Sequence, residues 1–142
     1  MTTATETTIV TRTLLEGEER ISHTEALFGL TFPLKLEPTI YGITDRIAPA
    51  YCGGFWRFWR LGNGGFYMAP DSEARYQAHC MNYWEGELSA DALGIVSCLT
   101  AYSHLSFGGP EEFAWDCAKH YHLLREYVCE HAEVAGILGA ID

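Results

Sequence analysis

The chain of 142 residues has few basic side chains, with nine Lys and Arg against 19 Asp and Glu and a formal net charge of −10. Nucleic-acid-binding surfaces need a clustered excess of Lys and Arg, so this balance argues against direct contact with nucleic acid. It argues equally against an anionic membrane surface. We expect the negative charge to serve solubility or contact with a basic partner.

Long hydrophobic runs are also absent. The apolar stretches are far too short to span a bilayer. Residues 1–13 are Thr-rich and have neither the basic nor the apolar region of a signal peptide. The five cysteines are odd in number and share no metal-finger spacing. These absences predict a reduced, cytoplasmic protein.

Catalytic motifs are missing as well: there is no phosphate-binding Gly loop followed by Lys-Ser/Thr, no serine elbow and no His-Glu-x-x-His pair. His120 and His122 lie two residues apart, and on a helix they point about 200° away from each other, so they cannot chelate one ion. Cys117 shares a face with His120, and His122 shares one with Glu126; we interpret these as a buried pair and an exposed pair. We therefore expect no metal, no cofactor and no catalysis. The alternative is a small metal- or Cys/His-dependent enzyme of unknown substrate.

What the chain does have is a large apolar fraction, 48%, of which much is aromatic. This composition excludes a disordered acidic tail and is typical of a folded domain. No linker, repeat or low-complexity tract divides residues 1–142, so we predict one domain. Residues 1–15 are polar and show no periodic face, and we expect them to be frayed.

Helices and strands are predicted from local patterns. Residues 14–31 could form a short helix, after which Pro33 and Pro38 should exclude helix between them. A second helix is predicted over 39–51, because its isoleucines follow a 3.6-residue period. The middle of the chain predicts a three-stranded antiparallel meander: residues 55–61, 66–70 and 76–84, the first two joined by the Gly-rich turn 62–65.

The last third is predicted to be helical. One helix starts at Ser89, whose hydroxyl can cap it, and a second starts at Pro110. A break at 131–133 precedes a short terminal helix. Together these elements predict an α+β fold, in which a small antiparallel three-stranded meander packs with helices that are mainly C-terminal.

The aromatic strand 55–61 carries one Arg on each face, Arg57 and Arg60. Exposed aromatics on a sheet can stack nucleic-acid bases. One Arg per face supplies little phosphate affinity against the net negative charge, so we interpret the aromatics as core.

Acidic residues are unevenly distributed. Residues 1–45 hold 7 acids and 3 bases, residues 46–84 hold 2 and 4, and residues 85–142 hold 10 and 2. A mimic of ten base pairs of DNA would need roughly 20 ordered charges, since B-DNA carries one charge about every 1.7 Å. Ten carboxylates spread around at least two helices do not reach that density. We expect a modest acidic docking patch instead.

The chain ends at Asp142, which brings a side-chain carboxylate close to the terminal one. Ile141 and Leu138 would anchor this tail on the body of the protein. The candidate partner-binding residues are Asp142, Ile141, Asp91, Glu87 and Glu85.

Four sequence blocks follow one another between about Ile40 and the end of the chain. They are Tyr51-x-Gly53-Gly54-Phe55-Trp56, Asn63-Gly64-Gly65-Phe66-Tyr67-Met68-Ala69-Pro70, Gly86-Glu87-Leu88-Ser89-Ala90-Asp91-Ala92-x-Gly94-Ile95 and Ala140-Ile141-Asp142. In wording and order they resemble the ArdB/KlcA family of antirestriction proteins. The chain departs from that family at Tyr83-Trp84, where its members carry small residues.

The resemblance implies a small cytoplasmic α+β protein of plasmids or other mobile elements that inhibits type I restriction–modification enzymes. It implies neither catalysis nor, in contrast to the ArdA proteins, DNA mimicry. The carboxyl-terminal acid of the family corresponds to Asp142. The expected partner is the restriction enzyme or an associated host factor, with no direct binding to nucleic acid or membrane.

Overall fold

A computed structural model describes residues 9–109 and 111–142 and confirms the α+β class. Within these residues two small antiparallel sheets, of three and two strands, pack with five α-helices. The strands are β1 (Arg12–Leu15), β2 (Trp56–Leu61), β3 (Phe66–Pro70), β4 (Arg75–His79) and β5 (Glu85–Ser89). The helices are α1 (Glu19–Phe28), α2 (Glu37–Ile47), α3 (Ala90–Leu105), α4 (Glu111–Val128) and α5 (Val134–Ile141).

The centre of the fold is the hairpin of β2 and β3, packed against α3. Its predicted Gly-rich turn is confirmed, with Gly64 at a φ of +94° that a side chain would disfavour. All five residues of β3 are buried. Helix α3 covers one face of β3, and the aromatic rings of Phe28 and Phe32 pack edge-on against Phe66.

The third strand of this sheet is not the one predicted. It is β1, which pairs antiparallel with β2 so that Arg12 lies opposite Leu61 and Leu15 opposite Phe58. The expectation that residues 1–15 are frayed is therefore wrong for Arg12–Leu15, whereas residues 1–8 lie outside the described residues. Only Leu15 of β1 is buried, so this edge strand is too short and too exposed to show a hydrophobic period.

The predicted strand 76–84 is also corrected. Strand β4 ends at His79, a turn follows, and β5 returns to form a separate two-stranded sheet in which Arg75 lies opposite Ser89. Only Leu88 of β5 is buried, which explains why the strand escaped prediction. The bulky Trp84 lies beneath α5, against Gly136 and Gly139.

Helix α2 and the segment before it contradict the expectation that Pro33 and Pro38 exclude helix. Phe32–Leu36 forms one π-helical turn that leads directly into α2. Each proline stands in the first turn of its element, where its missing N–H needs no partner. Helix α2 ends at Ile47 and not at residue 51.

The C-terminal helices are confirmed. Ser89 caps α3, its Oγ accepting a hydrogen bond of 3.1 Å from the N–H of Ala92. Helix α4 begins at Glu111, and Pro110 lies outside the described residues. Eleven of the sixteen residues of α3 are buried, which makes it the central helix of the core.

The packing of α3 on β3 depends on Gly94. A Cβ atom at this position would lie 2.4 Å from the Cα of Ala69 and 2.5 Å from the carbonyl oxygen of Met68. Both neighbours are backbone atoms of a fully buried strand and cannot give way without moving β3.

We predict that Gly94→Ala destabilises the protein by about 2 kcal/mol in urea unfolding, because overpacking costs more than the helix propensity gained. The control is Gly42→Ala in the exposed part of α2, where an added Cβ meets no atom within 4 Å. That variant should gain about 0.5–1 kcal/mol. Equal effects at the two glycines would contradict the close approach of α3 and β3.

The side chain of His120 is buried in the core, where its environment disfavours the protonated imidazole. It is 3% exposed, its ring centroid is 4.7 Å from that of Phe28, and its Nδ1 has no hydrogen-bond partner among the described residues. Burial, together with the charges of Lys119 and His23, lowers the pKa of His120 to about 4.

Because the unfolded chain protonates His120 below pH ~6.5 and the folded chain does not until about pH 4, stability falls as the pH falls through this window. We predict that the wild type loses about 2 kcal/mol more between pH 7 and pH 5 than His120→Leu does. Urea unfolding of both proteins at the two pH values measures this difference. Parallel pH profiles would show that His120 is not held neutral.

Candidate functional site

The side chain of Asp91, in the first turn of α3, is the centre of a polar network. Its Oδ1 accepts hydrogen bonds from Arg12 Nη1 at 2.9 Å and from the Tyr67 hydroxyl at 2.8 Å. Its Oδ2 lies 2.8 Å from Nε2 of His131. These contacts join β1, β3, the start of α3 and the turn before α5 through one carboxylate.

The protonation states follow from these contacts. Burial would raise the pKa of Asp91, but the hydrogen bonds from His131 and Tyr67 and the charge of Arg12 lower it below its ordinary value. Burial and the charge of Asp91 raise the pKa of Tyr67, so its hydroxyl stays neutral. The N–H of Glu133 donates to Nδ1 of His131 at 2.9 Å, which assigns the proton on Nε2 to the bond with Asp91.

A second set of contacts extends the network across the small sheet. Glu133 accepts hydrogen bonds from the N–H of Ser89 at 3.0 Å and from its hydroxyl. Arg75 joins Glu133 at 3.4 Å and Glu87 at 2.6 Å. We call these residues the Asp91 network: Arg12, Tyr67, Arg75, Glu87, Ser89, Asp91, His131 and Glu133. Six of them, all except Tyr67 and Glu87, border an open cavity of about 430 Å³.

The groups of the Asp91 network are paired with one another. Each of its carboxylates has a basic partner and its imidazole uses both nitrogens. The network therefore holds β1, the β4–β5 hairpin and the turn before α5 in fixed positions.

Two of the candidate residues, Glu87 and Asp91, are thus brought together. Glu85 is not part of the network: it pairs with His79 at 2.7 Å, at the end of the β4–β5 hairpin next to the turn.

Asp142 and Ile141 form a separate C-terminal corner. Asp142 lies 3.2 Å from Nη1 of Arg125, which also donates to the Tyr121 hydroxyl at 3.0 Å. The Asp142 side chain remains 57% exposed. Ile141 is half-buried beside Ile47, in a depression between α5 and the turn after β4.

Helix α5 holds this corner in place. Leu138 and Ile141 pack against the core, as expected from the sequence, and Asn82 Nδ2 donates to the carbonyl of Gly139 at 2.9 Å. Among the described residues, no hydrogen bond or ion pair joins Asp142 to Glu85, Glu87 or Asp91. The five candidate residues therefore lie at three separate sites: Glu87 and Asp91 in the Asp91 network, Glu85 at the end of the β4–β5 hairpin, and Ile141 and Asp142 at the C-terminal corner.

The Cys117–His120 pair lies in the core, as interpreted from the sequence. Burial and the charge of Asp116 raise the pKa of the Cys117 thiol to about 12, and the pKa of His120 is lowered to about 4. A protonated thiol beside a neutral imidazole is the reverse of an activated Cys–His nucleophile. His122 and Glu126 are both exposed, and Glu126 accepts a hydrogen bond from Asn63.

Residues 9–109 and 111–142 contain no group of three His, Cys, Asp or Glu side chains arranged to hold a metal ion. None of the helices in this part of the chain is long and apolar enough to cross a membrane.

The sequence did not indicate Arg12, Tyr67, His131 or Glu133 as partners of Asp91. Arg12 is 79 residues away along the chain, and His131 is 40. The only local signal was the helix break at 131–133, which the structure shows to be the place where His131 and Glu133 turn toward α3.

Comparison with known proteins places the chain among antirestriction proteins. The family model for antirestriction proteins matches residues 49–142. An antirestriction protein KlcA of Escherichia coli is 44% identical over 112 residues, covering 77% of this chain and 76% of its own length. The protein YfjX of Escherichia coli strain K12 is 38% identical over 138 residues, covering 92% of this chain and 86% of its own.

A solved structure agrees with the fold. It aligns with a TM-score of 0.87 and 34% identity, over 99% of this chain and 100% of its own. That structure belongs to work on KlcA and ArdB, which describes a novel fold and antirestriction activity against type I DNA restriction systems in vivo but not in vitro. The chain therefore belongs to the ArdB/KlcA family of antirestriction proteins.

Proposed function

We propose that this protein protects incoming DNA of mobile elements by inhibiting type I restriction–modification enzymes through protein–protein contact. The partner is the restriction enzyme itself or a host factor associated with it, and the protein acts in the cytoplasm. The observation that carries the proposal is membership of the antirestriction family, together with the activity described for KlcA and ArdB.

DNA mimicry is disfavoured by the way the acids are used. A mimic needs free carboxylates in regular array, whereas six of the acidic side chains in the described residues already pair with Arg or His: Asp71, Glu85, Glu87, Asp91, Glu133 and Asp142. Pairing reduces the negative potential that a DNA-binding groove would recognise. These six acids thus stabilise the fold and shape local surfaces.

We assign the first partner contact to Asp142 and Ile141. The corner presents the exposed carboxylate of Asp142 at the end of α5, a helix that Trp84 and Asn82 hold in place. A carboxylate that is held on a rigid helix can bind a basic partner group without a large loss of conformational entropy. The neighbouring small sheet contributes to the same function through Glu85 and Glu87. Asp91, in α3, contributes chiefly by fixing that sheet.

The proposed action involves no catalysis. The Cys117–His120 pair is buried with its thiol protonated, and the groups of the Asp91 network are paired with one another. An inhibitor that acts by contact needs no reactive group.

We predict that Asp142→Ala raises restriction of unmodified phage about tenfold in a restricting host that expresses the protein, the equivalent of about 1.4 kcal/mol of lost contact energy. The urea unfolding midpoint should stay unchanged, because the exposed pair with Arg125 adds little stability. Plating efficiency and unfolding are measured on the same variants.

Arg125→Gln is the matched control. It removes the same ion pair but leaves the Asp142 carboxylate free, so it should keep full protection. Loss of protection in both variants would assign the effect to the ion pair and its local structure. Full protection by Asp142→Ala would contradict the assigned contact.

We further predict that the purified protein does not displace a DNA duplex from a type I enzyme at any salt concentration. Displacement of DNA by a mimic should weaken steeply as salt rises, because it depends on the same charges. A fluorescence-anisotropy competition experiment with labelled duplex measures this. Salt-sensitive displacement would restore DNA mimicry as the mechanism.

A further inference from the structure

Two aromatic side chains lie open to solvent at the start of α4. Phe107 is 87% exposed and Trp115 is 72% exposed. They border a shallow groove of about 540 Å³ whose other walls come from Ser106, Gly108, Gly109, Glu111, Ala114 and Ala118. Large aromatics clustered on a surface are a feature of binding sites, and Trp is the side chain most enriched at energetic centres of interfaces.

The groove follows the helical period of α4. Glu111, Ala114, Trp115 and Ala118 are spaced i, i+3, i+4 and i+7, so they share one face. The stripe that enters the core is a different one: Phe113, Cys117, His120, Leu124 and Val128. Helix α4 thus carries a second apolar stripe that does not pack against the core. In this stripe Ala114 and Ala118 form the floor of the groove and Trp115 forms a wall.

Acidic groups outnumber basic ones around the groove. Glu111 lines it, and Glu112 and Asp116 follow on the same helix, whereas the ammonium of Lys35 lies at the Gly109 wall, 3.3 Å from where a Cβ atom would stand. Glu111, Glu112 and Asp116 lie within two turns of α4, and among the described residues none of them has an ion-pair partner. Burial and the charge of Glu112 raise the pKa of Asp116, although Lys119 acts in the opposite direction. These three carboxylates therefore differ from the paired acids of the Asp91 network.

We propose that this aromatic groove, formed by Phe107, Ala114, Trp115 and Ala118 with the acidic rim of Glu111, Glu112 and Asp116, docks a basic segment of a partner protein. The segment presents an Arg or Lys beside an apolar side chain.

The chemistry of the groove matches such a segment. A guanidinium can stack on the indole of Trp115 and pair with a rim carboxylate in the same position. The alanine floor leaves room for the apolar neighbour of that Arg.

Other occupants fit the groove less well. The rim repels nucleic acid and anionic lipid. Two copies of this chain related by a two-fold axis would bring their acidic rims together.

This surface is distinct from the C-terminal corner. Trp115 precedes Arg125 by ten residues on α4, which places them about 15 Å apart along the helix axis. The groove can therefore be tested independently of the contact assigned to Asp142.

The test is an NMR titration of the labelled protein with the peptide acetyl-Leu-Arg-Arg-Leu-amide, compared with the same peptide carrying citrulline, the neutral isostere, in place of arginine. We expect a dissociation constant of about 1 mM or tighter for the arginine peptide. Shifts should concentrate on the Trp115 indole and the methyl groups of Ala114 and Ala118. The citrulline peptide should bind at least about fivefold more weakly.

Trp115→Ala should abolish these shifts, and the triple variant Glu111→Gln, Glu112→Gln, Asp116→Asn should weaken binding about as much as citrulline does. The control Tyr83→Asn removes an aromatic side chain that is 93% exposed elsewhere on the surface, and it should bind as the wild type does.

Three results would overturn the proposal. One is equal binding of the arginine and citrulline peptides, and another is the absence of shifts at the groove. The third is a change of the Trp115 resonances on dilution of the free protein, which would assign the groove to a second copy of the chain.

Discussion

One ionised carboxylate, that of Asp91, joins the separate parts of the fold. It lies at the start of the central helix and binds Arg12, Tyr67 and His131 at 2.8 to 2.9 Å. A partly buried charge is tolerated because these donors replace the water it has lost, and leaving such a charge unpaired costs about 3–5 kcal/mol. Through Glu133 and Arg75 the same network reaches the small sheet, so the edge strand, both sheets and the approach to α5 are fixed together.

Two sets of acidic residues differ in their consequences. Those of the Asp91 network and Asp142 are paired with basic groups, and those of the network stabilise the fold. Those at the start of α4 have no ion-pair partner among the described residues and lie near exposed aromatics. The net charge of −10 is therefore neither uniform nor arranged like the phosphates of DNA. Two small surfaces, the C-terminal corner and the aromatic groove on α4, each present carboxylates that could pair with a basic protein group.

Sequence patterns predicted the elements that are marked by a turn, a helix cap or an apolar period within a few residues. The β2–β3 hairpin followed from its glycine turn, α3 from the Ser89 cap, and α5 from the apolar spacing of Ile137 and Leu138. The pairing of β1 with β2 and the whole Asp91 network could not be predicted, because both join residues far apart in sequence through backbone or polar contacts that leave no period. Asp91 itself was a candidate for contact with a partner protein, but in the structure its carboxylate is bound by three residues of its own chain.

We propose that protection comes from contact with a protein and involves the carboxyl-terminal corner. Affinity purification of the tagged protein from restricting cells, after complete nuclease digestion, tests this proposal. We expect a restriction subunit or an associated host factor to be recovered with the wild type and to be depleted with Asp142→Ala. Equal recovery with the wild type and with Asp142→Ala would contradict the role of the corner. Recovery of the partner from undigested samples only would show that DNA, and not protein contact, joins the protein to its partner.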